Sequence, residues 1–102
     1  MNENAFKENA AIFRALADET RLEIMGMLRC GEMCACKILE SFDIAQSTLS
    51  YHMKILTESG LIIGRREEKM MMYSINKEKV ELVKEYFDLY IKKWLLHYNE
   101  SI

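Results

Sequence analysis

Gln46-Ser47-Thr48-Leu49-Ser50-Tyr51-His52-Met53-Lys54-Ile55-Leu56, closed by Glu58-Ser59-Gly60-Leu61, is the stretch on which the reading of this chain turns. Leu49, Met53 and Leu56 recur at helical spacing and make one apolar face, while Gln46, Ser47, Ser50, Tyr51 and Lys54 fall on the other side. The spacing predicts a helix from about residue 46 to residue 59. Gly60 suits the left-handed position after a helix, and Leu61 can then fold back on Leu56 as in a Schellman stop. Between residues 44 and 57 no carboxylate stands beside the polar face.

Downstream, residues 61–66 and 70–75 read as two short strands joined by Glu67-Glu68-Lys69. A long helix runs from Lys77 to about Tyr98. Its stripe of Val80, Val83, Phe87, Tyr90, Ile91, Trp94, Leu95 and Tyr98 is too large and aromatic for a surface left in water. Upstream, Asp43-Ile44-Ala45 makes a tight turn, preceded by a short helix over about 35–41 with Ile38, Leu39 and Phe42 facing inward. Gly31 ends another helix, opened by Asp18 as N-cap with Glu19 in its first turn and carried through Leu22, Met25 and Leu28 to about Arg29. The first helix covers about 5–16, with Phe6, Ala10, Phe13 and Leu16-Ala17 on its apolar side.

At 102 residues, half of them apolar and none proline, the chain reads as a single domain over 1–102. A chain this short often covers its leftover apolar faces with a partner subunit. The N-terminus lacks the apolar core of a signal peptide, and no run approaches the roughly 18 apolar residues of a membrane span. A cytoplasmic protein without membrane attachment is expected. Three cysteines is an odd number, which argues against a disulfide scaffold, for thiols kept reduced, and for metal or redox chemistry. The net charge of −2 excludes a broadly basic nucleic-acid glove. Its distribution is uneven: residues 1–43 carry five basic and eight acidic side chains, whereas 44–66 carry Lys54, Arg65 and Arg66 against Glu58 alone. A local patch is enough to neutralise phosphates.

The order α-α-α-α-β-β-α is mainly helical (α+β) and is that of a winged helix-turn-helix. Here the residues resemble the ArsR/SmtB metal-sensing repressors, of the arsenic-sensing type. The resemblance is carried by residues 13–22 (Phe-Arg-Ala-Leu-Ala-Asp-Glu-Thr-Arg-Leu), by Gly31-Glu32-Met33-Cys34-Ala35-Cys36, by the quoted 46–56 stretch, and by Glu58-Ser59-Gly60-Leu61 and Gly64-Arg65-Arg66-Glu67. It covers roughly residues 10–75. Four positions depart from the family pattern: Ala45 where Ser is usual, Ser47 for Pro, Tyr51 for Arg, and Glu68 for the wing-tip Gly. The first removes an N-cap contribution of roughly 1 kcal/mol.

The resemblance implies a non-enzymatic DNA-binding repressor that acts as a homodimer through its terminal helices on an inverted repeat in double-stranded operator DNA. Gln46 can pair bidentately with an adenine edge, and Ser47, Thr48 and Ser50 are short groups suited to bases or phosphates. Lys54, Arg65, Arg66 and Lys69 would meet phosphates or the minor groove. His52 is expected either near DNA or hydrogen-bonded within the domain, and Tyr51 either on phosphate or as a part-exposed ring. Phe6, Phe13, Val83, Phe87, Tyr90, Ile91, Trp94 and Tyr98 are the expected dimer surface, which would set two reading helices roughly 34 Å apart.

Cys34 and Cys36, with Cys30 as a candidate third ligand, stand at the mouth of the third helix, whose N-terminus would favour thiolate. In the family such a pair with a third cysteine marks sensing of As(III) or Sb(III), or of Cd and Pb when an N-terminal cysteine is added. The third thiol of the arsenic pattern would fall on Leu39, so Cys30 is its available substitute. Bridging the pair would draw on the third helix, expected to brace the recognition helix, and so release DNA. A family zinc site on the last helix would use His97 and Glu100, but its other half falls on Lys84 and Tyr86 and is rejected. Met70-Met71-Met72 reads as packing, since alternate strand residues face opposite ways. Two rivals keep the fold and change the signal, to oxidation or persulfidation of the same cysteines or to Cd, Pb or Bi. A small thiol enzyme finds no Cys-x-x-Cys, P-loop or glycine-rich nucleotide turn here, and no organic cofactor is implied. A protein-interaction module built on the aromatic last helix is the remaining alternative.

Overall fold

The chain takes its first boundary from Asp18. In this computed structural model, which describes residues 3–101 and side chains from Asn4 to Tyr98, helix α1 is Glu3–Leu16 and helix α2 is Glu19–Met27. Asp18 between them is extended, and its carboxylate accepts the Arg21 N–H at 3.0 Å, satisfying a donor that a helix start leaves open. The second helix ends earlier than its apolar spacing implies. Residues Leu28–Cys30 tighten into a 3-10 turn, and Gly31 at φ +134° redirects the chain.

Beyond Gly31 the chain departs from the expected α-α-α-α-β-β-α order. Met33–Cys34 form a strand, β1, before helix α3 at Ala35–Leu39. Helix α4 is Gln46–Glu58, β2 is Ile62–Glu67, β3 is Met70–Ile75 and helix α5 is Lys77–Ser101. The three strands form one antiparallel sheet in the order β1-β3-β2. A two-residue strand has no periodicity to read, and β1 exists only because a segment some forty residues later lies beside it. The β2–β3 hairpin is the wing, and its tip residue Glu68 holds φ +56°, the position where the family usually has glycine.

The core gathers where α2, α4 and β2 meet. Ile24, Leu56 and Ile38 are fully buried, with Leu49, Met53, Leu61 and Ile62 within a few per cent of it. The buried α4 stripe is the one read from the sequence. Two inner faces are rotated from expectation. In α1 the core side is Asn9, Ile12 and Ala15, and Phe6 is exposed. In α2 Ile24 replaces Leu22, which lies 55% exposed. Apolar residues on more than one side of each helix left the choice of face to packing.

The end of α4 is a modified Schellman stop. Gly60, at φ +84°, donates its N–H to Thr57 O at 3.1 Å, as that motif requires. The outer bond is replaced by a relay in which the Ser59 hydroxyl accepts the Leu61 N–H at 3.3 Å and donates to Leu56 O at 2.7 Å. Helix α5 starts on an Asn76 cap, whose side-chain oxygen accepts the Lys79 N–H at 3.2 Å. Spanning about 37 Å at 1.5 Å per residue, α5 stretches the molecule to 56 × 24 × 24 Å. No helix among the described residues is long and apolar enough to cross a membrane.

Ala45 is extended (φ −68°, ψ 152°) at the N-cap of α4 and offers no side-chain acceptor. Ala45→Ser is therefore expected to stabilise the fold by about 1 kcal/mol, read as a higher urea midpoint at unchanged slope.

Candidate nucleic-acid interface and thiol pair

Burial of Leu49, Met53 and Leu56 turns the opposite side of α4 to solvent, where Gln46, Ser47, Thr48, Ser50, Tyr51 and Lys54 are all exposed. The helix thus divides into an anchoring side and a free polar side. Beyond α4, Arg66 and Lys69 of the wing are exposed too. With Gln46 and Ser50 they border a cavity of about 530 Å³ that also touches Cys36 and Met53.

Two of the expected DNA contacts face elsewhere. His52 turns inward, with its side chain 11% exposed, and Arg21 Nη1 approaches its Nδ1 at 3.0 Å. A guanidinium only donates, so Nδ1 accepts and the ring proton lies on Nε2. Arg21 also donates through Nε to Ala15 O at 2.6 Å and through Nη2 to Arg14 O at 3.4 Å. One side chain, 12% exposed, thereby ties the end of α1 and the start of α2 to the middle of α4. Asp18 completes the group, with its carboxylate 3.9 Å from His52 and 4.0 Å from Arg21. Its hydrogen bond from the Arg21 backbone, and after it the Arg21 charge, hold the carboxyl below the usual aspartate value despite some desolvation.

Arg65 is the second departure. Its Nε and Nη2 reach Glu32 at 2.8 and 2.6 Å, a bidentate pair across 33 residues, and Nη2 also meets Glu67 at 3.1 Å. The pair lowers the Glu32 carboxyl's affinity for a proton and raises that of Arg65. Of the four expected cations, Lys54, Arg66 and Lys69 remain without a side-chain ion pair among the described residues, whereas Arg65 is neutralised by its own chain. Nothing local in the sequence marks the Glu32–Arg65 pair, because neither residue lies in an unusual pattern.

The cysteines separate. Cys34 and Cys36 are joined sulfur to sulfur, with Cα atoms 5.4 Å apart, so the thiols expected to stand reduced are linked here. Cys34 is also the N-cap of α3, and its sulfur accepts the Lys37 N–H at 3.3 Å. Helix α3 is only five residues long and carries little dipole, so its N-terminus offers the pair less than the sequence implied. Cys30 is free and exposed, and lines a different concavity, of about 570 Å³, with Leu28, Ile75 and Val80. Among the described residues no three His, Cys, Asp or Glu side chains are gathered to hold a metal ion. His97 stands in α5, and the side chain of Glu100 lies outside the described residues.

The expected dimer surface divides as well. Phe87, Trp94 and Tyr98 are 48%, 64% and 65% exposed, and Phe6 is 52% exposed. Val83 is not part of that surface, since it is buried in the core of its own chain. Tyr90 and Ile91 are half-buried. Tyr90 receives the Asn9 side-chain amide on its hydroxyl at 3.0 Å and stacks between Phe6 and Trp94, while Phe13 meets Phe87 edge-on. Leu89, Leu95 and Leu96 add exposed apolar area.

Comparison with known proteins agrees with this geometry. Residues 18–63 match the family described as bacterial regulatory protein, arsR family. The chain is 40% identical over 85 residues to an arsenical resistance operon repressor of Staphylococcus xylosus, covering 83% of this chain and 82% of that one. A crystal structure of an ArsR family transcriptional regulator superposes with a TM-score of 0.79 at 27% identity, over 86% of this chain and 91% of that one. The solution structure of a homodimeric winged helix-turn-helix DNA-binding domain from Mycobacterium bovis, a possible ArsR-family regulator, gives 0.72 at 24% identity over 95% and 93%.

The depressed Asp18 carboxyl sets an acid dependence. A group whose pKa is lower folded than unfolded adds stability above its ordinary value, here 3.8, and that stability is lost as pH falls through the folded value. Asp18→Asn keeps a cap but does not titrate. The loss of stability between pH 7 and pH 3, measured by urea unfolding, should be smaller in this variant than in the parent. Arg21→Met, which leaves Ala15 O and His52 Nδ1 without their donor, should cost about 2–3 kcal/mol.

Proposed function

The chain belongs to the arsR family of bacterial regulatory proteins, which are DNA-binding transcriptional repressors rather than enzymes, and from that membership we propose that it releases its operator when trivalent arsenic or antimony bridges Cys34 and Cys36. The observation that carries the proposal is the direct contact of these two sulfurs at the start of α3. Thiols this close can both bind one small thiophilic centre once reduced. Arsenous acid condenses with two thiols by forming two As–S bonds, and its two displaced hydroxyls leave with the thiol protons as two waters. The third valence keeps its hydroxyl. Cys30 is exposed in a separate concavity and is not needed for this chemistry. Thiolates are soft ligands and select soft, thiophilic centres of this kind.

A second reading keeps the repressor and makes oxidation the signal, and the linked sulfurs favour it. A peroxide would take two electrons and two protons from the thiols, leaving the disulfide and two waters.

On the DNA side, the exposed Gln46, Ser47, Thr48 and Ser50 read base edges in the major groove, with Tyr51, Lys54, Arg66 and Lys69 on phosphates. His52 acts from inside by fixing the rotation of α4. The functional unit is a homodimer through α1 and α5, on an inverted repeat. Its support is the exposed aromatic surface and the extended shape: a radius of gyration of 16.3 Å, against about 13 Å for a compact chain of this length. The homodimeric relative points the same way.

Operator affinity, measured on a duplex selected by the protein from a random library, tests the proposal. Arsenite should weaken the reduced parent and Cys30→Ser by at least tenfold and leave Cys34→Ser and Cys36→Ser bound. An unchanged parent would remove the arsenic reading, and release by peroxide alone would establish the second one. Lys54→Gln should lower the slope of log affinity against log salt by about 1. Trp94→Glu should shift the protein to monomer in sedimentation.

A further inference from the structure

Cys34 is a residue of the wing sheet. It lies opposite Met72 of β3, and Met72 lies opposite Arg65 of β2. Directly opposed residues of antiparallel strands project to the same face, so Cys34, Met72 and Arg65 form one row across the sheet. Glu32, two residues before Cys34, reaches along that face and clamps Arg65 with two hydrogen bonds. The segment carrying Glu32 and Cys34 leaves Gly31, whose φ of +134° and open surroundings make it the natural pivot.

The helix expected to carry the signal is placed otherwise. Helix α3 lies close against β1 and β3. Ile38 anchors it in the shared core, and on its outer side Cys36 and Leu39, Gln46 and Ser50 of α4 and Arg66 and Met71 of the wing border an open cavity of about 530 Å³. A gap can absorb a displacement, whereas a hydrogen-bonded ladder closed by a bidentate ion pair must follow it. Arg65, already neutralised by Glu32 and Glu67, has little charge to offer a phosphate.

We propose that the wing is the output element of the thiol pair, and that Glu32 and Arg65 are positioning residues that set how far operator affinity falls when Cys34 and Cys36 are bridged. This rests on reading the pair as the sensor. The structure shows the bridged state, with Cys34 and Cys36 joined. Reduction opens the Cys34-Ala35-Cys36 loop, shifts β1 against β3, and the Glu32–Arg65 clamp carries the shift into β2. The hairpin position seen here is thus the one of low operator affinity, and the reduced hairpin tilts to bring Arg66 and Lys69 onto DNA while α4 keeps its place on the core.

Two measurements on the full chain test this. Amide hydrogen exchange is followed in DNA-free protein with the cysteines reduced, with Cys34 and Cys36 linked by diamide, and with arsenite added to the reduced form. Bridging by either route should change exchange at Gly64, Arg65, Met72 and Tyr73 by fivefold or more, with smaller changes across residues 50–56. Changes confined to α4, or none in either bridged state, overturn the proposal. A response to the disulfide but not to arsenite supports wing coupling and removes the arsenic reading.

Operator affinity of parent, Glu32→Gln, Arg65→Gln and the double variant is then compared between the reduced state and whichever bridged state the parent responds to. Affinity of the reduced proteins should stay within threefold of the parent. The drop on bridging should shrink about tenfold in each single variant and no further in the double, as for two residues acting as one unit. A full drop in both singles overturns the proposal. So does an Arg65→Gln loss of reduced-state affinity and salt slope equal to that of Lys54→Gln, which would make Arg65 a phosphate contact. Urea unfolding of each variant separates loss of coupling from loss of fold.

Discussion

The apolar stripe of α4, Leu49-Met53-Leu56, is held almost free of solvent against α1, α2 and β2, and everything the molecule offers to DNA is aligned by it. Burying three such side chains contributes roughly 1.5–3 kcal/mol each, which keeps the helix in place and turns its other side outward. Arg21 sharpens that rotation. Its guanidinium spans from the carbonyls of Arg14 and Ala15 to the ring of His52, so a turn of α4 about its axis would break a directional bond in a nearly dry site. The polar side is then left facing outward with its short donors and amides in fixed positions. Base reading needs that kind of preset geometry, because one misaligned bond to a base edge removes the discrimination it would provide.

The wing obeys a different physical logic. It is a two-strand hairpin with a partner on one side only, and that partner is a two-residue strand containing Cys34. Isolated hairpins are marginal in water, so pairing with β1, the strand that contains Cys34, is a large share of what orients this one. On the proposed reading, a bridge at Cys34 alters this small sheet with little work, whereas the core around Ile24, Ile38 and Leu56 resists a comparable shift. On that reading binding and switching fall on separate elements, α4 and the wing. The long α5 remains outside both, its aromatic surface joined to α1 through Tyr90 and Phe87 and still open beyond them.

Most of the architecture is legible in the chain itself. The Asp18 cap, the α4 stripe, the Gly60 stop and the two wing strands each have a local cause in spacing or backbone preference, and local causes can be read along a chain. Phe6, Leu22 and Val83 escape such reading for one shared reason. A helix with apolar residues on several sides does not declare which of them turns to its own core. Arg65 escapes it for another: it looks like a DNA-facing group by position, and only Glu32 at hydrogen-bond distance neutralises it. For His52 the sequence leaves two readings open, and Arg21 at hydrogen-bond distance decides for the inward one.

The amino-acid order alone determined the family, the reading helix and the cysteine pair, because periodicity, capping and a Cys-x-Cys spacing are properties of neighbours in the chain. Tertiary structure alone decided that Cys34 belongs to the wing sheet, that a cavity opens between α3, α4 and the wing, and that Arg65 answers to a carboxylate 33 residues away. Those facts depend on which distant segments come to lie side by side. The closing of long loops around a shared core sets that, and no local pattern records it.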